Sequence, residues 1–225
     1  MRLVLIRHAH SSANLAGVLS GRLPNVHLSE KGVIQSKMLA DRLGQFALAE
    51  MRISPMERCF ETIEPWINSH VLKSDPNFQP LFDEQLTEVD YGKWSGKKLS
   101  LLSKNKLWKT VQESPSRMYF PEGEGIAQMQ ARAMTAVHQA VNTKRKGAVV
   151  LVSHGDVIKS IISSALGMHL DEFQRIIIDP ASVSIVEYSD IKPRVLLLND
   201  SRSTVTELLA QPKRSRNLLG GGSGK

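Results

Sequence analysis

A single cysteine, Cys59, in a chain of 225 residues rules out an intrachain disulfide framework and fits a reducing, cytoplasmic compartment. Long apolar runs are missing as well. The four apolar residues Leu3 to Ile6 before Arg7 are too few for a signal-peptide core, and no stretch approaches the roughly 18 residues that span a membrane. Aromatic residues make up 5% of the chain and are not interleaved with the basic ones, which argues against a stacking surface for nucleic acid. Acidic residues are outnumbered, 22 against 29 basic, and the formal charge of +7 favours an anionic partner. Part of that surplus lies in Pro212 to Arg216, which with the glycine-rich Gly220 to Lys225 reads as a basic, disordered tail over 206–225.

What remains, 41% hydrophobic residues with no internal repeat, is ordinary for one globular domain, expected over 1–205. Short β-type runs alternate with helical periodicity, so the expected class is α/β, a three-layer αβα sandwich with a central, mostly parallel sheet. Strands are predicted at Arg2–Ile6, Leu48–Ile53, Ala148–Val152, Val183–Tyr188 and Arg194–Leu198. Ser29 to Leu43 reads as a helix stopped by Gly44, and Ile126, Met129, Ala133, Val137 and Ala140 trace one apolar helical face. Ser54-Pro55-Met56-Glu57 has the pattern of a capping box, placing Arg58 in the first turns of a helix. The lysine-rich region 93–121, with Trp94 and Trp108, reads as an insertion over one end of the sheet, a candidate lid.

Chemistry is concentrated where strands end. The first strand stops at Arg7-His8 and a later one at Ser153-His154-Gly155, and the carboxyl edge of an open α/β sheet is where ligands bind. A neutral imidazole is a good nucleophile toward phosphorus, which makes His8 the candidate for a phosphohistidine. Arg7 and Arg58 offer paired guanidinium donors that suit phosphoryl oxygens. His154 precedes a helix whose free N–H groups cradle anions, so its expected task is to stabilise transition-state charge.

In these elements the chain resembles the histidine phosphatase superfamily, which includes the cofactor-dependent phosphoglycerate mutases, and within it an actinobacterial phosphomutase-like branch. Arg7-His8-Ala9 with Asn14, then Ser20-Gly21, match its phosphate loop. Leu28-Ser29-Glu30-Lys31-Gly32 with Gln35, Ser54-Pro55 with Arg58 and Thr62, and Leu86 and Glu88 with Gly92, Trp94 and Gly96 follow in the family's order, closed by Ser153-His154-Gly155. The resemblance implies a phosphoglycerate mutase-like fold in which His8 is phosphorylated, Glu88 donates the proton and His154 is the second histidine. It assigns Arg7, Asn14, Ser20, Gly21 and Arg58 to the phosphate. It also makes a homodimer plausible. Three departures stand out: Ala9 replaces glycine and would narrow the site if positive φ were required there, His10-Ser11 replaces a Glu/Thr-type pair, and Glu124-Gly125 replaces Glu-Ser or Glu-Thr.

The expected activity is hydrolysis of a small-molecule phosphate monoester without metal or cofactor, because the long middle insertion of the mutases is missing. The alternatives are a phosphomutase and a phospho-ligand binding module with reduced turnover. Glu84 is the rival acid, His8 with His10 the rival metal pair, and Cys59 the rival nucleophile. All three rank below the set above, because Glu84 is off the motif spacing, no acidic cluster joins the histidines, and nothing basic activates the thiol. Arg22 and Arg117 are possible substrate contacts, and Lys97, Lys98, Lys104, Lys106 and Lys109 read as a solvated face.

Overall fold

The computed structural model describes residues 1–189 and 192–210. Its centre is a six-stranded sheet in the order β3-β2-β4-β1-β5-β6, made by β1 (Arg2–Arg7), β2 (Leu48–Ile53), β3 (Leu81–Phe82), β4 (Ala148–Ser153), β5 (Val183–Glu187) and β6 (Arg194–Asp200). The β1, β2, β3 and β4 pairings are parallel, while β5 and β6 join antiparallel at one side. The sheet is therefore mostly parallel, as its sequence pattern predicts.

Alternation within strands builds the two outer layers. Leu3, Leu5, Val149 and Leu151 face the helices Ile126–Val141 and Gly155–Ala165. Val4, Ile6, Val150 and Val152 face Glu30–Leu43 and Glu57–Trp66 on the other side. All six residues of β4 are buried, as an aliphatic run covered on both faces should be. Among the described residues no helix is long and apolar enough to cross a membrane.

Three local readings change. Ser54 does not cap a helix: the helix begins at Glu57 with Met56 before it, and no side chain caps that end. The pairing of β2 with β4 brings Ser54 beside the end of β4, where its hydroxyl meets His154 instead. The two-residue β3 was not anticipated, since Leu81 and Phe82 are exposed edge residues without alternation. Residues Val205–Ala210 form a helix whose Val205 is buried in the core, so order continues past the boundary expected at 205, and the basic stretch from Pro212 lies outside the described residues.

Candidate active site

Register brings the two strand-end histidines together. Arg7 pairs with Ser153 across the parallel β1/β4 ladder, the His8 N–H donates to the Ser153 carbonyl at 2.9 Å, and the two imidazole centroids lie 5.2 Å apart. His8 is 4% exposed and His154 fully buried.

Hydrogen bonds fix both tautomers. His8 Nδ1 lies 2.8 Å from the Ala9 carbonyl, which can only accept, so Nδ1 carries the hydrogen and Nε2 keeps its lone pair. Arg58 Nη2, a donor only, approaches His154 Nδ1 at 3.2 Å, so on His154 the hydrogen is on Nε2 and is donated to Ser54 Oγ at 2.8 Å. Burial first, then the charges of Arg58 and Arg7 for His8, and of Arg58 for His154, hold both rings well below the usual histidine pKa. Both are neutral at pH 7.

Positive charge is left to the arginines. Arg58, 1% exposed, donates from Nη2 also to the Gly21 carbonyl at 2.8 Å, while its Nε and Nη1 are buried with no partner among the described residues. Arg7 donates from Nη1 to the Ile178 carbonyl, and its Nε likewise has no partner. Buried guanidinium N–H groups without acceptors are costly unless an anion meets them.

Glu88 lies opposite, its Oε2 3.8 Å from His154 Nδ1 and its Oε1 accepting from the Val89 N–H at 2.9 Å. Burial, helped by the negative charge of Asp156, pushes its carboxyl up to about 7 against the opposing pull of the Val89 N–H, Arg58 and Arg7. Asp156, in the first turn of the Gly155–Ala165 helix, accepts from Tyr91 Oη at 3.1 Å and from Lys159 Nζ at 3.3 Å.

Arg7, His8, Glu88, Asp156 and Lys159 line one cavity of about 460 Å³ together with Asn14, Ser20 and Gly21, while Arg58 and His154 are buried directly behind that lining, against the Gly21 carbonyl and the His8 ring. From region 93–121, Trp94, Leu99, Trp108, Val111, Gln112 and Phe120 form one wall. Asn14 reaches the wall, but its side-chain oxygen accepts from the backbone and hydroxyl of Ser11, each at 3.0 Å, which caps the short helix Ser12–Ala16. A wider hollow of about 720 Å³ near Met1, Phe46 and Ala210 brings no comparable set of groups together.

Several alternatives fall away. Ala9 is not among the described residues with positive φ, so its methyl strains nothing, and its N–H donates to Thr62 Oγ1 at 2.8 Å. His10 turns from the cavity to Ser29, with Nδ1 2.8 Å from Oγ. Glu84 accepts from the Thr87 hydroxyl at 3.2 Å, outside the cavity. Cys59 sits 3.6 Å from His154 Nε2, but burial pushes its thiol up to about 12, and it stays protonated. Arg22 and Arg117 do not line the cavity, and neither do the five lysines from Lys97 to Lys109. Ser54, Tyr91 and Lys159 are contributors that the sequence reading missed. Ser54 was masked by its resemblance to a cap, and Lys159 carried a signal only in lying one helical turn after Gly155, on the face of Asp156.

The chain and its fold have known relatives. The family model of the histidine phosphatase superfamily, branch 1, matches residues 3–201, and the chain belongs to that family. Members of the superfamily are phosphatases or mutases that act through a phosphohistidine. Phosphoserine phosphatase 1 of Hydrogenobacter thermophilus is 27% identical over 201 residues, covering 88% of this chain and 92% of that protein. The 2,3-bisphosphoglycerate-dependent phosphoglycerate mutase of Thermoplasma acidophilum is 29% identical over 184 residues, covering 82% and 86%. Among solved structures, YhfR of Bacillus stearothermophilus superposes with a TM-score of 0.79 at 26% identity, covering 88% of this chain and 96% of that one.

Proposed function

We propose that this protein hydrolyses small-molecule phosphate monoesters in the cytoplasm, with His8 as nucleophile. The observation that carries the reading is the state of the His8 ring: Nδ1 is committed to the Ala9 carbonyl, leaving the Nε2 lone pair free between two arginines that have unpartnered N–H groups. Arg7 and Arg58 bind the phosphoryl oxygens with those donors, joined by the Gly155–Ala165 helix N-terminus and by Ser20, Gly21 and Asn14 on the cavity wall. His8 Nε2 attacks phosphorus, the ester P–O bond breaks, and Glu88 transfers its proton to the departing alkoxide. Water then attacks the phosphohistidine, the Glu88 carboxylate takes its proton, and the N–P pair returns to Nε2. His154, neutral and donating to Ser54, keeps its Nδ1 toward Arg58 and so fixes that guanidinium as charge on the phosphoryl group shifts. In this sequence of steps the nucleophile, the acid and the charges that meet the phosphoryl group come from the chain and the second proton from water, so no step calls on a metal or cofactor. Region 93–121, whose Trp94, Leu99, Trp108, Val111, Gln112 and Phe120 form one wall of the cavity, acts as its lid within a single catalytic domain.

The test is release of inorganic phosphate, with chelator present, from aryl phosphates, phosphoserine, phosphoglycerates, sugar phosphates and nucleotides, by the parent and by His8→Ala. Turnover lost in the variant supports the reading. Equal turnover in both proteins overturns it. Kinship to a phosphoglycerate mutase keeps one second reading in view, transfer of the phosphoryl group to a bound alcohol. That reading predicts phosphorylated glycerate, rather than free phosphate, when phosphoglycerates are supplied.

A further inference from the structure

Outside the cavity, one side chain spends three of its donor hydrogens on the loop that carries Glu88 and the other two on Glu124, which itself bonds that loop. Arg132, on the Ile126–Val141 helix, donates from Nη1 to the carbonyls of Gln85 at 2.8 Å and Thr87 at 2.6 Å. From Nη2 it donates to the Glu88 carbonyl at 3.0 Å and to Glu124 Oε1 at 2.6 Å, and from Nε to Glu124 Oε2 at 3.0 Å. These bonds use all five guanidinium hydrogens, the most an arginine can offer. Glu124 in turn accepts from the Asp90 N–H at 2.9 Å and from Arg22 Nη2 at 2.8 Å, and Arg22 Nε gives the Glu88 carbonyl a second bond at 2.8 Å.

Residues 87–91 lie between two short 3₁₀ turns, Glu84–Leu86 and Gly92–Trp94, and have no ladder of their own. The Glu88 carboxyl has a single protein hydrogen bond, to the next residue's N–H. The place of that carboxyl is therefore set by its backbone, and that backbone is held by Arg132, Glu124 and Arg22. None of the three lines the cavity.

We propose that Arg132, with Glu124 and Arg22, is the positioning device of proton transfer: it holds the Glu88 carboxyl within reach of the leaving oxygen, and its effect on rate grows with the basicity of the alcohol released. The inference rests on Glu88 being the proton donor. A leaving group that departs readily as an anion needs no proton, whereas an alkoxide does, and positioned acid catalysis contributes ~10²–10⁴-fold. Phosphate binding through Arg7 and Arg58 should be untouched.

The experiment measures kcat and KM for 2,4-dinitrophenyl, 4-nitrophenyl, phenyl and 2-phenylethyl phosphates with the parent, Arg132→Gln, Arg132→Lys, Glu124→Gln and Glu88→Gln. If Arg132→Gln does not fold, as judged by circular dichroism and thermal melting, Glu124→Gln and Arg22→Met, the latter at a partly exposed side chain, carry the test. The expected result for Arg132→Gln and Glu124→Gln is a fall in kcat/KM of at least ~10-fold on the phenyl and alkyl esters, with the dinitrophenyl ester changed by less than ~3-fold and KM near the parent's. Arg132→Lys, with three donors on a point charge, should fall between. A loss equal on all four esters, or no loss, while Glu88→Gln shows the steep dependence, overturns the positioning role and leaves Glu88 as donor. A Glu88→Gln profile that is flat across the esters overturns the donor assignment and the inference with it.

Discussion

Replacing Glu88 by glutamine keeps the side chain's shape and removes its proton equilibrium, which gives direct access to the state of the carboxyl in the resting site. In the folded chain that carboxyl is pushed up to about 7 from an ordinary 4.5, by burial and by Asp156. A group whose pKa is raised by folding contributes stability that is complete below its unfolded value and lost as pH rises through its folded value. Ionisation therefore costs the fold little at about pH 5 and on the order of a few kcal/mol at about pH 8.5. The ionisable groups facing Glu88, namely Asp156, Tyr91, His154, Arg7 and Arg58, are common to both proteins and largely cancel in the comparison. Urea unfolding followed by tryptophan fluorescence should find Glu88→Gln close to the parent at the lower pH and more stable than it at the higher one, with the gap widening by about 2 kcal/mol. A gap that does not change between the two conditions would mean that Glu88 titrates as an exposed carboxyl does. It would then be ionised at pH 7 and could not serve as the resting proton donor.

The remaining predictions follow from the same geometry. The pH profile of kcat/KM should rise below pH 6.5, as the depressed His8 loses its proton, and fall from about pH 7 as Glu88 ionises, with the alkaline limb absent for a dinitrophenyl ester. Ser54→Ala deprives the buried His154 N–H of its acceptor and should cost about 1–3 kcal/mol in urea unfolding, together with a lower kcat. Gly32→Ala should weaken both fold and activity, because a Cβ there would lie 2.0 Å from the His10 carbonyl; an overpacking loss of about 1–3 kcal/mol is expected by thermal melting, and parent-like activity would show that the His8–His10 segment gives way freely.

Much of the site was legible because its residues sit at ends of elements that announce themselves. The aliphatic runs before Arg7 and Ser153 mark strands by composition alone, so the addresses of His8 and His154 follow from where those runs stop. That the two strands are neighbours in register is a tertiary fact, and no local pattern contains it. The same holds for Ser54, whose hydroxyl is equally suited to capping a helix or to meeting a buried imidazole; only the β2/β4 pairing decides. Arg22 illustrates the limit from the other direction. An arginine next to the phosphate loop reads as a substrate contact, but the fold turns it outward to Glu124 and the Glu88 carbonyl. Lys159 and Asp156 carry no strand-end signal, and helix spacing alone cannot say which face looks into a cavity.

The proposed mechanism calls for two histidines that are not cations, and the division of charge supplies them. Were His8 or His154 protonated, His8 would lose its nucleophilic lone pair, and His154 Nδ1 could no longer accept from Arg58. Burial beside Arg7 and Arg58 keeps both rings neutral, and with Lys159 paired to Asp156 the two guanidinium charges are the ones left to match a phosphate dianion. The carboxyl is the complementary case. In a site with only the two arginines, Glu88 would be drawn toward ionisation and would compete with the phosphoryl group for their donors. Asp156, anchored by Tyr91 and Lys159, opposes that pull and favours the protonated carboxyl that the proposed proton transfer requires. Asp156→Asn should accordingly move the alkaline limb of kcat/KM to lower pH on phenyl and alkyl esters while leaving KM for the dinitrophenyl ester near the parent value. A limb that stays in place would assign the elevation of Glu88 to burial alone.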